Sequence, residues 1–422
     1  MKLNLRKPFA VIMGAVMALT TVSAASAANI EAAMNDSYEI VALGDSITVG
    51  YEQRMTEESV PYGYVDRLYE QALFHGRATL SNYAIMGLTT PGLGNLLQGA
   101  SESAKMTSAD IQDFSSFQEG VSKQADAVAS KAPEIALSLR TADLVVMTIG
   151  ANDFGELIKA MTALSTEDAQ QMLDNNFDTI MNKYTTDLDK VIRQLHVMAP
   201  NAQILLSDQY LPLWSTHKLY GDLLKAVDKL ADRLDVVTDQ LSKEGLPMKV
   251  VHISPSFKGK ETTYTYVNTF DYDNHPKQAG YEVIAEAYAN VIWNQYLKPA
   301  PRAADVPISV IISGKDLLSK PILKNNTTFL AIRDFSKAVN ADLEWIDKTK
   351  TAIFRKNGRE VSITIGSKTM IVNGVKQPLE TPAYIQKIGT TKSTYVPLAV
   401  IIKGLNYDVI YRGRIKTAFI NS

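Results

Sequence analysis

The sequence predicts an α/β domain of three layers, with helices on both faces of a five-stranded parallel sheet, followed by a small α+β domain of two repeats. Three observations predict it. Short β-branched runs alternate with long helical patterns over residues 38–297, and strands joined by helical crossovers pair in parallel. A proline-rich stretch interrupts the pattern at 298–307. Beyond it, the chain realigns with itself 66 residues later.

Tyr38–Leu43 reads as a buried strand that ends at Gly44-Asp45-Ser46. Ala78–Ala84, Asp143–Ile149, Ala202–Ser207 and Met248–Ile253 complete the set, each bounded by Gly, Pro, Asn or Asp. Helical patterns fill the gaps. Tyr62–Phe74 has apolar residues at 65, 68, 69, 72 and 73, and Phe177–Met198 stops at Pro200-Asn201. Tyr220–Lys243 and Gln278–Leu297 follow. Residues 94–140 hold no strand pattern, only helix-friendly stretches such as Ser122–Leu139. Such an insertion is either a lid or substrate wall, or a solvated helix pair with no part in binding; the second is the plainer expectation.

At the start, Lys2, Arg6 and Lys7 precede an apolar run from Phe9 to Leu19, and Ala25-Ser26-Ala27 supplies a small-residue cleavage site. This is the pattern of a secretory signal peptide over residues 1–27, too short for a span of ~20 residues. A secreted, extracellular or cell-surface protein is expected; the rival is an uncleaved anchor. No later segment approaches 18 uninterrupted apolar residues. The absence of cysteine excludes disulfides, thiol catalysis and thiolate metal sites. A hydrophobic share of 46% supplies the core instead. The net charge of −2, or −5 without the leader, gives no argument for a nucleic-acid or anionic-membrane surface.

The stretch Lys298–Pro307 carries three prolines in ten residues and reads as a stiff linker. It divides a domain over 28–297 from one over 308–422. In the latter, Thr328–Ile332, Asn340–Asp342 and Lys350–Phe354 realign with Thr394–Leu398, Asn406–Asp408 and Lys416–Ile420. Ser313–Leu317 and Val372–Lys376 open the halves. Each half reads as strand, short helix (331–339; 398–404) and hairpin, one duplicated module rather than a long array.

Four short blocks carry the chemistry. Gly44-Asp45-Ser46 puts a hydroxyl where a strand breaks, at the carboxyl edge where open α/β sheets bind ligands. Asn82–Gly87 ends in a glycine, which lets a backbone N–H approach a ligand closely. Gly150-Ala151-Asn152-Asp153 follows the most apolar strand, and an asparagine there can donate its amide to a developing oxyanion. Asp271-Tyr272-Asp273-Asn274-His275-Pro276 presents a histidine, the side chain best matched to proton transfer near neutral pH. Taken singly each block is weak, since Gly-Asp-Ser and Asn-Asp are common turns and caps. His75, His196 and His252 sit on helical or strand positions and read as structural; His217 lies in a loop that could line a pocket.

In this order the blocks resemble the SGNH hydrolases, also called GDSL esterases/lipases. The hallmark Ser, Gly, Asn and His of that superfamily match Ser46, Gly87, Asn152 and His275. Gly44–Thr48 and Gly150–Asp153 repeat its usual wording, and the resemblance covers about residues 38–297. It implies the flavodoxin-like three-layer fold and acyl transfer through a covalent intermediate. Ser46 is then the nucleophile and His275 the general base; the N–H groups of Ser46 and Gly87 and the amide of Asn152 form the oxyanion hole. No metal or organic cofactor is implied. One departure stands out. The triad acid of these enzymes lies three residues before the histidine, where this chain has Tyr272. Asp273 and Asp271 flank that position, and a backbone carbonyl is a further acceptor. In an extended loop, side chains two apart face one way, which favours Asp273. The ordinary α/β-hydrolase pentad Gly-x-Ser-x-Gly is missing, because Gly99-Ala100-Ser101 lacks the flanks.

Residues 308–422 resemble the copper amine oxidase N-terminal-like stalk domain, with hairpins of Asn-Gly-Lys type and closing hairpins near Trp345 and Tyr411. They hold no histidine or cysteine and so no copper signature. Surface attachment and a spacer that binds nothing are the two expectations. For the whole chain the expected substrate is a lipid or short-chain ester. An O-acetyl esterase acting on cell-wall or plant polysaccharide is the alternative, and a binding protein with a vestigial hydrolase domain a further one. All four blocks lie upstream of the linker, so the hydrolase is expected to fold and turn over without the module.

Overall fold

Short, mainly apolar runs form five strands: β1 (Tyr38–Gly44), β2 (Ala78–Asn82), β3 (Leu144–Thr148), β4 (Gln203–Ser207) and β5 (Met248–Val251). The computed structural model describes residues 37–422 apart from 57, 162–163, 268–272, 318, 326 and 389–390. The leader 1–27 and Asp271 lie outside the described residues. The strands form one sheet in the order β2-β1-β3-β4-β5, every pair parallel. Side chains of a strand alternate between faces, and the core divides accordingly. Val41, Leu43, Val145 and Met147 face one apolar cluster, while Ile40, Ala42, Leu144 and Val146 face the other.

The helices that cover these faces are α1 (Ser46–Val49), α2 (Tyr64–His75), α3 (Thr90–Ser101), α4 (Ser108–Ile111), α5 (Glu119–Ala129), α6 (Ala132–Thr141), α7 (Gly155–Met161), α8 (Thr166–Met198), α9 (Tyr220–Lys243) and α10 (Gln278–Trp293). Helices α2 and α10 contribute to the second cluster, and α3–α6 and α8 to the first. Three boundaries differ from the sequence pattern for physical reasons. β2 stops at Asn82 because its side chain turns the backbone, accepting from the Ala84 N–H at 3.0 Å and donating to the Thr48 carbonyl at 2.9 Å. α8 begins at Thr166 rather than near Phe177, with the Ser165 hydroxyl accepting from the Asp168 N–H at 3.1 Å. Its first turns carry Ala169, Met172 and Leu173 at helical spacing ahead of Phe177, packed with Leu157, Met161 and Leu219. Ser122–Leu139 is two helices, the second admitting Pro133 in its first turn, where a missing N–H costs nothing.

Residues 94–140 are not a solvated pair. Leu96, Leu97, Ile111, Val121, Ile135 and Leu139 are buried in the first cluster, so the insertion is a core layer.

The C-terminal part has strands β6 (Ser309–Ile312), β7 (Lys315–Asp316), β8 (Ile322–Lys324), β9 (Thr327–Ala331), β10 (Asp342–Ile346), β11 (Thr351–Lys356), β12 (Arg359–Thr364), β13 (Thr369–Val372), β14 (Val375–Pro378), β15 (Tyr384–Ile388), β16 (Thr391–Pro397), β17 (Asp408–Arg412) and β18 (Thr417–Asn421), with helices α11 (Ile332–Val339) and α12 (Leu398–Gly404). The hairpins at Ser313-Gly314 and Asn373-Gly374 turn through two residues of positive φ, the conformation of tight hairpins. The repeats are interleaved. The closing hairpin β17–β18 of the second pairs with the opening hairpin of the first through β18 and β6. β15-β16-β9-β8 likewise mixes strands of both.

The module is packed on α2. Phe419 and Ile311 belong to the second apolar cluster, with Phe419 edge-on to Phe74 at 5.1 Å. The Asn421 amide donates to the carbonyls of Leu73 and Gly76 at 2.8 and 2.6 Å, capping the end of α2. Arg412 donates to Glu70 and Asp66 at 3.1 Å each and lies over the Tyr69 ring.

Candidate active site

The strand-to-helix corner after β1 is built around Asp45. Its side chain accepts from the Ile47 N–H at 3.0 Å and caps α1. It also accepts from the Thr148 hydroxyl at 2.7 Å, tying the corner to β3. Thr48 extends this link, 2.7 Å from the Thr148 hydroxyl and 3.0 Å from that of Tyr64. Gly44 has φ +119°, and a Cβ there would stand 2.1 Å from the Thr148 carbonyl oxygen. Any side chain would therefore push β1 from β3. Asp45 is buried, which pushes its carboxyl up to about 6 despite the bonds from Thr148 and Ile47.

Ser46 opens α1, so its backbone N–H has no partner within the helix. Its Oγ is 2.8 Å from His275 Nε2. His275 Nδ1 is 2.8 Å from Asp273 Oδ1, and the same oxygen accepts from the His275 backbone N–H at 2.9 Å. Asp273 thus reaches the ring through a turn closed by its own side chain, not through the extended loop expected from spacing. Burial acts to raise the Asp273 pKa, but the bonds from the His275 ring and backbone outweigh it and hold the carboxyl low.

The histidine loop is pinned on several sides. The Tyr266 N–H donates to the His275 carbonyl at 3.0 Å, and the Lys277 N–H to Tyr264 at 2.7 Å. The Tyr210 hydroxyl donates to the Asn274 carbonyl at 2.7 Å. Tyr51 stands edge-on to the imidazole, with ring centres 4.6 Å apart. The sequence motifs do not reveal Tyr51 or Tyr210; both come from loops whose course only the fold defines.

Gly87 has φ +75°, and a Cβ there would meet the Phe117 ring at 2.5 Å. Its loop is held by the insertion. Gln112 donates to the Gly87 carbonyl at 2.9 Å, and Gln124 accepts from the Met86 N–H at 3.1 Å while donating to Ala84. Residues 94–140 therefore fix the loop that carries Gly87 and take no part in the cavity described next. Asn152 lies on a short helical turn after β3 and donates one amide hydrogen to the Leu88 carbonyl at 2.9 Å. An amide carries two hydrogens, and Asn152 is among the residues lining the cavity described below. Neighbouring Asp153 accepts from the Thr90 N–H and hydroxyl at 3.0 Å each, joining this turn to α3.

A cavity of about 400 Å³ opens beside these groups. Ile47, Asn152 and Asn274, neighbours of the site residues, line it together with Phe154, Leu157, Met161, Phe177, Leu211 and Leu230. Its size falls within the roughly 300–1,000 Å³ of small-molecule sites, and its lining is chiefly apolar.

The other histidines lie elsewhere. His75 stacks on Trp293, and burial lowers its pKa. His196 is in the last turn of α8. His252 follows β5, 3.1 Å from buried Asp208, whose bond raises the histidine pKa. His217 accepts from the Leu219 N–H and is not among the residues lining the cavity. Among the described residues no cluster of three or more His, Asp or Glu is placed to hold a metal ion, and no helix is long and apolar enough to cross a membrane.

The match to a family model over more than half of the chain defines the protein as a carboxylic ester hydrolase. More narrowly, the chain belongs to the GDSL-like lipase/acylhydrolase family, which it matches over residues 42–283. Residues 311–420 match the copper amine oxidase N-terminal domain. Similar solved structures include an extracellular lipase from Streptomyces rimosus, 17% identical, covering 61% of this chain and 100% of that one at a TM-score of 0.42. A lipase from a goat rumen metagenome is 19% identical, covering 60% and 96% at 0.40. An acetylxylan esterase from Geobacillus stearothermophilus is 15% identical, covering 62% and 97% at 0.37. A search of curated proteins finds no match.

Proposed function

We propose that this chain is an exported serine esterase that cleaves esters of acyl chains longer than acetyl. The hydrogen-bonded series Ser46–His275–Asp273 carries the reading. His275 takes the Ser46 proton at Nε2 as Oγ attacks the ester carbonyl, and Asp273 holds the tautomer that leaves Nε2 free. The N–H groups of Ser46 and Gly87 and the amide of Asn152 receive the oxyanion. His275 then protonates the departing alcohol, and water attacks the acyl-Ser46 ester by the same route to release the acid. An intact series of this kind argues against a vestigial hydrolase. The leader motif at residues 1–27 supports export.

The cavity favours a fatty acyl group over acetyl, because an acetyl group would leave most of that apolar volume unfilled. Each buried methylene contributes ~0.8 kcal/mol, which is about fourfold in kcat/KM. A series of aryl esters from acetyl to palmitoyl, run beside acetylated xylan, tests this. The expected result is a rise of about fourfold per methylene that levels off once the cavity fills. A maximum at acetyl, with turnover of the xylan, would replace this reading with that of an O-acetyl esterase.

A further inference from the structure

The near-neutral net charge conceals two oppositely charged parts. Residues 28–307 hold 37 Asp and Glu against 22 Lys and Arg, whereas residues 308–422 hold 8 against 18. The whole-chain balance of −2 therefore says nothing about the module taken alone.

The fold separates the module's cations by type. Its arginine forks are largely engaged: Arg355 with Glu344 and Glu360, Arg412 with Asp66 and Glu70, and Arg359 with the Gly404 carbonyl. These pairs also occupy two of the module's few acids. The cations left exposed are mostly lysines. Lys376 and Lys387 lie on edge strands β14 and β15, Lys392 faces Lys387 across a hairpin, and Lys337 and Lys403 lie on α11 and α12.

Lysines on edge strands also guard against edge-to-edge pairing, but those on the two helices serve no such purpose. Lysine is a point charge without a fork, suited to attracting charge density rather than reading one geometry. The exposed lysines are distributed over two sheets and both helices of the module. That distribution fits a flexible polymer that wraps better than a planar bilayer. None of the residues lining the cavity belongs to the module, so a tethered enzyme keeps its site open.

We propose that residues 308–422 bind a linear phosphodiester polyanion of the cell envelope through these dispersed lysines, tethering an acidic esterase that the same polymer repels. The proposal rests on export of the chain but not on its esterase chemistry, and its test reads binding alone. The full chain without its leader is titrated against poly(glycerol phosphate) and, separately, against phosphatidylglycerol vesicles. Polymer binding that weakens about tenfold or more between 50 and 200 mM salt is expected, as counterion release requires, with weaker retention on vesicles. The charge-reversed variant K337E/K376E/K387E/K392E should lose polymer binding while keeping its melting temperature and turnover of a soluble ester. No polymer binding at 50 mM salt, binding indifferent to salt, or tighter binding to vesicles would each overturn the proposal. Should the variant not fold, the salt titration of the unmodified chain still decides.

Discussion

Arg412→Ala is expected to destabilise the esterase although it lies outside the hydrolase sequence. Arg412 retains 21% side-chain exposure, while Glu70 retains only 6%. Without the guanidinium, Glu70 keeps the Tyr62 hydroxyl at 2.8 Å but no cation. Breaking a buried pair on one side costs about 3–5 kcal/mol; water reaching this site places the change near the low end, about 3 kcal/mol. At 2–4 °C per kcal/mol, that is a fall in Tm of roughly 6–12 °C. The pH dependence has a definite sign. Burial already raises the Glu70 pKa, and Arg412 pulls it back down. Losing Arg412 raises the folded pKa further, so the variant loses stability as pH rises through that value, and its deficit shrinks in acid where Glu70 is protonated. Thermal unfolding of both proteins at pH 4.5 and 7 reads this, with turnover of a soluble aryl ester at 25 °C as the control. Arg412→Lys should recover part of the loss, having the charge without the fork. A variant within about 1 °C of the parent at pH 7 would refute the reasoning. The same contact revises the expectation that the hydrolase folds freely without the module, since truncation would also bare Phe74 and uncap α2 at Leu73 and Gly76.

Two further outcomes follow from the site. Asp273→Asn should lower kcat by roughly 10²–10⁴ on a soluble aryl ester, the cost of a wrongly held tautomer; kcat within about threefold of the parent would mean that a backbone acceptor or another carboxylate orients His275. Asp45→Asn removes a carboxyl that burial pushes up to about 6. Such a group subtracts stability as pH rises from its unfolded value through its folded one, so the variant's Tm relative to the parent should climb between pH 4 and 7. A difference that stays flat across that range would show that Asp45 is not held neutral by burial.

The parallel sheet was legible because its strands are short, apolar and bounded by breakers and alternate with helices, whereas the strand order β2-β1-β3-β4-β5 is set by contacts that this alternation does not encode. The four blocks were legible because Ser46, Gly87 and Asn152 each follow a strand and His275-Pro276 precedes the last long helix. The rest depends on contacts that local pattern does not encode. The turn that carries Asp273 to His275 is closed by its own side chain, so residue spacing alone suggested an extended loop. Gln112 and Gln124 look like surface residues of a polar insertion, yet they hold the Gly87 loop. Arg412 looks like one cation among many in the module, and its partners lie more than 300 residues away on α2. The opposed charges of the two parts were present in the sequence but hidden by summing the whole chain.

The central claim is that Ser46 is an activated nucleophile. Treating the purified chain with a fluorophosphonate and locating the adduct by peptide mass spectrometry tests it most directly. The account predicts one adduct per chain, on Ser46, formed in parallel with loss of ester hydrolysis, and none in Ser46→Ala or after His275→Ala has removed the base. Labelling of a different residue, or full hydrolysis by Ser46→Ala, would contradict it.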